Sequence, residues 1–237
     1  MTKNNTINGN YIAALDIGTS KVVCLIGSIS DSHSIEIVAM GSYPSSGLKK
    51  GVVVNIDATT DAIQKSIEQA KNSFEGKIKN VFVGIAGNHI KSLNSHGIVG
   101  IKDKEVTQLD IEKVIDAAQA VAIPSDQRVL HVLPQEFVID DQDAIREPLG
   151  MSGVRLESHV HLVTCANNAI QNIEKCVKRC GIGIDGFVLE QLASSYSILS
   201  NDEKELGVCI VDIGGGTTDI AIFNNGSICF TAVSYTH

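Results

Sequence analysis

The sequence predicts an α/β protein carrying a small α+β insertion. Three observations lead there. An apolar strand, a turn opened by Asp-Ile-Gly and two further strands occur near the start of the chain and again near its end. Between them, segments with one apolar helical face alternate with short β-branched runs, as in layered α/β units. The middle of the chain breaks that pattern with longer, polar-interrupted strands.

Residues 11–15 read as an apolar strand that ends at Asp16, and the tight turn Asp16-Ile17-Gly18-Thr19-Ser20-Lys21 follows. Residues 22–29 resume as a strand, 30–34 are a polar turn and 35–41 form a third strand, a β-meander. Residues 47–55 have extended, β-branched character. Asp57 or Thr59 then caps a helix with Ala62, Ile63, Ile67, Ala70 and Phe74 on its inner face, and Gly76 stops it. Residues 80–86 are a buried-type strand. Residues 89–101 are a weaker strand, and Thr107 caps a helix running to Val121. Residues 129–139 alternate as a strand interrupted by Pro134, 140–149 are an acidic loop, and 154–163 are extended again. Residues 88–161 are therefore read as the insertion.

The main pattern returns with a helix opening at Asn167. Ile170, Ile173, Cys176, Val177 and Cys180 face inward, and Gly181 ends it. Residues 184–189 are a strand running into Glu190, and 191–199 are a short helix. Residues 201–206 are a charged connector, expected to be the hinge between two halves. Residues 207–212 are an apolar strand leading to a second turn that closes at Asp219. A hairpin around Asn224-Asn225-Gly226 completes the unit.

Length and composition narrow the function. The chain has 237 residues, 43% of them hydrophobic, enough for one large domain or two modest ones. Its formal net charge is −8 and no Lys/Arg run occurs, which argues against nucleic acid or anionic lipid as partners of the bulk surface. Few aromatics and no Trp argue against a stacking platform for single strands. The six cysteines form no C-x-x-C pair and mostly sit in apolar runs, so they read as buried thiols in a reducing compartment. Cys176 and Cys180 share a helical face but lack further zinc ligands. His159 and His161 alternate along one strand and read as exposed. The polar first ten residues lack the features of a signal peptide and read as a disordered tail. No apolar stretch approaches the ~20 residues of a spanning helix, so a soluble, cytoplasmic chain is expected.

The repeated turn carries the chemistry. Glycine lets the backbone approach a ligand closely, and successive backbone N–H groups then form an anion nest. Gly18, Gly214, Gly215 and Gly216 supply this freedom. Thr19, Ser20, Thr217 and Thr218 add hydroxyl donors, and Lys21 adds a cation. Asp16 and Asp212 cannot bind phosphate directly but suit Mg²⁺, through its waters. Three consecutive glycines between strands weaken a sheet unless something must approach the backbone. One cradle per half would clamp a polyphosphate from both sides of a cleft.

These residues resemble the actin, sugar-kinase and heat-shock-chaperone superfamily of ATPases, with its ribonuclease H-like fold. Asp16 to Lys21 looks like the first phosphate motif, Asp212 to Asp219 like the second, and Leu189-Glu190-Gln191-Leu192-Ala193-Ser194-Ser195 like the first connecting segment. Within the superfamily the chain is similar to the FtsA family of bacterial cell-division proteins. The strings that carry this are Gly47-Leu-Lys-Lys-Gly51-Val-Val, Val129-Leu-His-Val-Leu-Pro134-Gln-Glu-Phe, Gly150-Met-Ser-Gly153-Val-Arg155, Val160-His-Leu-Val-Thr164 and Leu206-Gly-Val-Cys-Ile-Val-Asp212.

The resemblance implies subdomain 1A at 11–87 and 162–200, the family's insertion 1C at 88–161, and the start of subdomain 2A from 201 to 237. It implies ATP and Mg²⁺ as ligands, with Asp16, Gly18, Thr19, Ser20, Lys21, Gly214, Gly215, Gly216, Thr217, Thr218 and Asp219 around the nucleotide. Glu190 and Asp212 take the catalytic positions, and at most slow ATP hydrolysis is expected. The implied partners are FtsZ, later division proteins and further copies through 1C. The implied location is the inner face of the cell membrane at the division site. The family continues past the second phosphate motif, and its FtsZ-binding region and membrane helix fall outside this chain. The chain is thus expected to be C-terminally truncated, with an unnatural end, weak or no ATP binding and no activity of its own. A sugar- or acetate-type kinase and a pilus-assembly ATPase of the same superfamily are the alternatives. The insertion lacks an obvious sugar-facing acid, which disfavours the kinase.

Overall fold

The computed structural model describes residues 11–30 and 34–234. The polar first ten residues, expected as a tail, lie outside the described residues.

The chain opens with β1 (Tyr11–Ile17), β2 (Lys21–Ile29) and β3 (Ile35–Pro44), an antiparallel meander. A two-strand ribbon, β4 (Leu48–Lys49) and β5 (Val52–Val53), leads into helix α1 (Ile56–Lys71). Strand β6 (Asn80–Ile85) then joins β1 in parallel. Later in the chain β11 (Gly183–Leu189) joins β6, also in parallel, giving the five-stranded order β11-β6-β1-β2-β3. Alternation decides the faces. Ala13, Leu15 and Ile17 point to one side and are buried with Ala62, Ile63, Ile67 and Ala70 of α1. Helix α3 (Asn167–Arg179) covers the same side with Ile170, Ile173, Cys176 and Val177. Ala14 and Asp16 point to the other side, where the cleft lies.

The inserted sheet has the order β7-β10-β8-β9, all antiparallel, from β7 (Ile90–Gly100), β8 (Gln127–Ile139), β9 (Gln142–Ile145) and β10 (Arg155–Ala166). Helix α2 (Gln108–Gln119) lies on it, capped by Thr107 with a reciprocal bond from the Asp110 carboxylate. Strand β10 serves two cores. Its start, Leu156, is buried with Val114, Phe137 and Ile139, and its end, Val163 and Cys165, is buried in the main core. Pro134 lacks an N–H and the ladder slips there, between the pairs His159–Glu136 and Val160–Pro134.

A third sheet, β12 (Val208–Ile213), β13 (Thr218–Asn224) and β14 (Ser227–Ser234), follows α4 (Glu190–Ile198) and α5 (Asn201–Leu206). Ile210, Ala221, Phe223 and Ile228 form its buried face. Beside the slipped register on β8, Gln135 holds β14: its side-chain amide donates to Ile228 O at 3.0 Å and its backbone carbonyl accepts from Ser227 Oγ at 2.9 Å. Among the described residues no helix is long and apolar enough to cross a membrane.

Several expectations are corrected. Asn55, not Asp57 or Thr59, caps α1, because its side chain accepts from Ala58 N–H and Thr59 is buried. Helix α1 ends at Lys71, before Gly76. The stretch 140–149 is not all loop, since β9 pairs with β8. The connector 201–206 is helix α5, closed by a Ser200–Glu203 capping box. Its Lys204 lies buried over the Tyr196 and Phe223 rings, at 4.7 and 5.6 Å. Cys209 is exposed, because β12 turns its odd-numbered side chains outward. His161 is buried rather than exposed. It reaches Asn94 Oδ1 at 2.7 Å and Thr231 Oγ1 at 3.2 Å, tying the insertion to β14, and burial lowers its pKa.

Both large sheets use glycine to seat their helix. A Cβ on Gly41 would lie 1.9 Å from Ser66 O of α1, and one on Gly97 would lie 2.2 Å from Val114 O of α2. Gly41→Ala is therefore expected to lower stability by at least about 2 kcal/mol, because backbone cannot yield as a side chain can. Gly100→Ala, which meets nothing within 4 Å, should stay within about 0.5 kcal/mol. Urea unfolding of both variants checks this, and equal midpoints would refute it.

Candidate nucleotide cleft

The two Asp-Ile-Gly turns have the same geometry. In the first, Ile17 pairs with Val22 and Gly18 N–H donates to Lys21 O at 3.0 Å. In the second, Ile213 pairs with Thr218 and Gly214 N–H donates to Thr217 O at 2.9 Å. Each turn therefore bridges the same register gap with the same internal bond. The next two N–H groups of each turn, those of Thr19, Ser20, Gly215 and Gly216, meet no protein acceptor among the described residues. Unpaired successive N–H groups at a strand end are a nest for an anion.

The turns face each other at close range. A Cβ on Gly215 would lie 2.8 Å from Ser20 Cβ, and one on Gly216 would lie 2.8 Å from Thr19 Oγ1. The glycines are thus required by the opposite turn as well as by their own. Thr19 Oγ1 accepts the N–H of Gly51 at 3.1 Å, and Gly51 (φ +73°) presses on Ala86 and Gly87. The β4–β5 ribbon thereby buttresses the first turn from behind.

Four carboxylates converge beside the turns. Burial pushes Glu190 up to about 8, with Asp16, Asp219 and Asp212 adding repulsion. Asp16 opens onto the cleft, yet the protein crowded around it raises its pKa, with the Asp212 charge adding and Lys21 pulling back. Asp219 is raised chiefly by burial, opposed by its bond from Thr217 Oγ1 at 2.8 Å. Like charges in a partly dry cleft resist ionisation until a cation joins them. That donor set suits a hard cation such as Mg²⁺. Among the described residues no three His, Cys, Asp or Glu side chains are grouped so that together they could hold a metal ion. Glu190, Asp16 and Asp212 also line a cavity of about 370 Å³ between the sheet and α4, together with Phe82, Val188 and Ser194.

Of the residues expected in the two cradles, Thr19, Ser20, Gly215 and Gly216 meet across the gap, Gly18, Lys21, Gly214, Thr217 and Thr218 close their own turns, and Asp16, Asp212 and Asp219 lie near Glu190. Three others were not expected. Gln191 is fully buried; its Nε2 donates to Asp219 Oδ1 at 3.2 Å and its Oε1 has no partner. Gly84 leaves room for Glu190, whose Cγ would lie 3.2 Å from a Cβ there. A glycine inside the apolar run Val81-Phe82-Val83-Gly84-Ile85 is a readable sign of close approach. His131 accepts a backbone N–H next to Glu190, and no local pattern announces it.

Comparison with known proteins fits this geometry. Residues 87–164 match the SHS2 domain inserted in FTSA. The chain is 65% identical over 226 residues to the cell division protein FtsA of Pseudomonas aeruginosa, covering 95% of this chain and 54% of that protein. It is 53% identical over 223 residues to FtsA of Neisseria meningitidis serogroup B and 44% over 222 residues to FtsA of Escherichia coli K12, covering 94% of this chain and 54% and 53% of those proteins. Over the span it covers, the chain is similar to these FtsA proteins along nearly its whole length. It spans about half the length of these FtsA relatives. Among solved structures it is similar to a chain of the PilM-PilN type IV pilus biogenesis complex, with a TM-score of 0.67 at 14% identity over 94% of this chain and 60% of that one. It is also similar to the ethanolamine utilization protein EutJ from Carboxydothermus hydrogenoformans, with a TM-score of 0.54 at 15% identity over 98% and 54%. At those identities the likeness concerns the fold, which is the actin-like ATPase fold expected for an FtsA-type chain.

The raised pKa of Glu190 has a measurable consequence. The folded protein keeps a proton there that the unfolded chain releases above about 4.5. Stability contributed by this site therefore falls as pH rises from 4.5 towards 8. Glu190→Gln removes that loss. Its melting temperature is expected to match the parent below pH 4.5 and to exceed it increasingly towards pH 8. A difference that does not vary with pH would refute the assignment.

Proposed function

We propose that this chain cradles Mg·ATP between its two glycine turns and forms part of an FtsA-type scaffold of the cell-division machinery. The matched register and matched internal bond of the two turns carry this reading. In it, residues 11–87 and 162–200 act as subdomain 1A, 88–161 as 1C, and 201–237 as the start of 2A. The free N–H groups of Thr19, Ser20, Gly215 and Gly216 hold phosphate oxygens, and the Thr217 and Thr218 hydroxyls and Lys21 add to them. Asp16 and Asp212 would hold Mg²⁺ through its waters, and the ion would neutralise phosphate charge.

Turnover is expected to be slow. Glu190 would orient the attacking water, but until a cation joins the cleft its pKa, pushed up to about 8 by burial, favours the protonated form at neutral pH. A protonated carboxyl donates a hydrogen bond and is not a base. Nucleotide then serves to set the relation of the two sheets rather than to drive fast chemistry. The whole protein would link FtsZ filaments to the inner face of the cytoplasmic membrane, recruit later division proteins and associate with further copies through the insertion. The similarity to FtsA proteins and the match to the SHS2 domain support this.

The test reads both cradles at once. Amide NMR with Mg·ATP up to roughly 10 mM, a range that captures weak binding, should shift the signals of residues 18–21 and 214–217 together. Mg²⁺ alone or adenosine should leave the free N–H groups unmoved. Absence of shifts at either turn would overturn the reading.

A further inference from the structure

The insertion reaches the cleft through one side chain. His131 lies on β8, within the inserted stretch, opposite Val163 of β10. Its Nε2 accepts the backbone N–H of Leu189 at 3.0 Å. Leu189 is fully buried, ends β11 and occupies the cap position of α4, whose first residue is Glu190. No side-chain hydrogen bond from Leu189 caps that helix, so the histidine takes up an N–H at the junction that would otherwise be buried unpaired. Such a group costs about 1–3 kcal/mol when left without an acceptor.

The arrangement fixes the tautomer. Nε2 must offer its lone pair, so the proton sits on Nδ1. Burial lowers the pKa of the ring and keeps it neutral. Glu190 is thus bounded on one side by Gly84, and the backbone of the residue before it is held by a residue of the insertion. A second tie runs parallel to it. Gly87, the first residue of the matched insertion, packs against Gly51, whose N–H is held by Thr19 of the first cradle.

We propose that His131 is a positioning residue through which the insertion fixes the backbone at Leu189 and so the pose of Glu190 in the cleft. A partner that moves the insertion sheet then moves Glu190, and a ligand that moves Glu190 is felt in the insertion. The inference rests on reading Glu190 as a residue of the nucleotide cleft. Its test uses no nucleotide, so it succeeds or fails independently of nucleotide binding.

The experiment is ¹⁵N NMR of the chain at neutral pH. His131 is expected to show the Nδ1–H tautomer with an unprotonated Nε2, and the Leu189 amide to exchange slowly. In His131→Leu, exchange at Leu189 should accelerate at least tenfold, the cost of one lost hydrogen bond being about 1.4 kcal/mol, and the Glu190 amide signal should move. In His131→Gln, whose side-chain oxygen can replace Nε2, both should return towards the parent. A ring protonated at Nε2 in the parent protein would overturn the proposal. So would unchanged Leu189 exchange in a folded His131→Leu variant. If that variant does not fold, the tautomer in the parent protein decides.

Discussion

The contact between the two glycine turns is the constraint on which the rest of the structure depends. Gly215 and Gly216 meet Ser20 and Thr19 with no room for a Cβ. Two sheets must therefore be held so that the turns following β1 and β12 stay in close contact. The turns cannot do this themselves. Turns make few contacts, and bringing distant chain segments together costs loop-closure entropy. The work falls on the elements behind them.

Those elements are anchored on both sides. Helix α5 buries Lys204 between two rings, and its Lys204 and Glu205 carbonyls accept the N–H groups of Gly226 and Asn225. The insertion holds β14 through Gln135, Asn94, Ser92 and His161. Strand β10 fuses that insertion to the main core, because one continuous strand is buried in both. The third sheet is thus joined to the first through the insertion as well as through the chain. The insertion is part of the frame around the cleft, not an ornament on it.

Much of this was legible locally. The strands around Asp16 and Asp212, the Asn225-Gly226 turn with both residues at positive φ, and the α2 cap at Thr107 follow from residue types and short-range geometry. The misses share one cause. Asn55 caps α1 because the chain path puts it there, and either acceptor type nearby fits the local pattern equally well. Residues 201–206 look like a solvated connector until Tyr196 and Phe223 supply aromatic faces for Lys204. His161 looks like an exposed strand histidine until Asn94 and Thr231, from two other strands, enclose it.

The sequence by itself determined the two matching turns, their glycines and hydroxyls, and the presence of an insertion between them. Backbone freedom, strand alternation and hydrogen-bonding type are properties of a few adjacent residues. Only the tertiary structure decided that burial raises the pKa of Glu190, that Gln191 donates to Asp219, and that His131 accepts the N–H at the start of α4. Burial, like-charge crowding and acceptors drawn from distant strands are properties of how the chain is brought together. They exist only once the sheets have met.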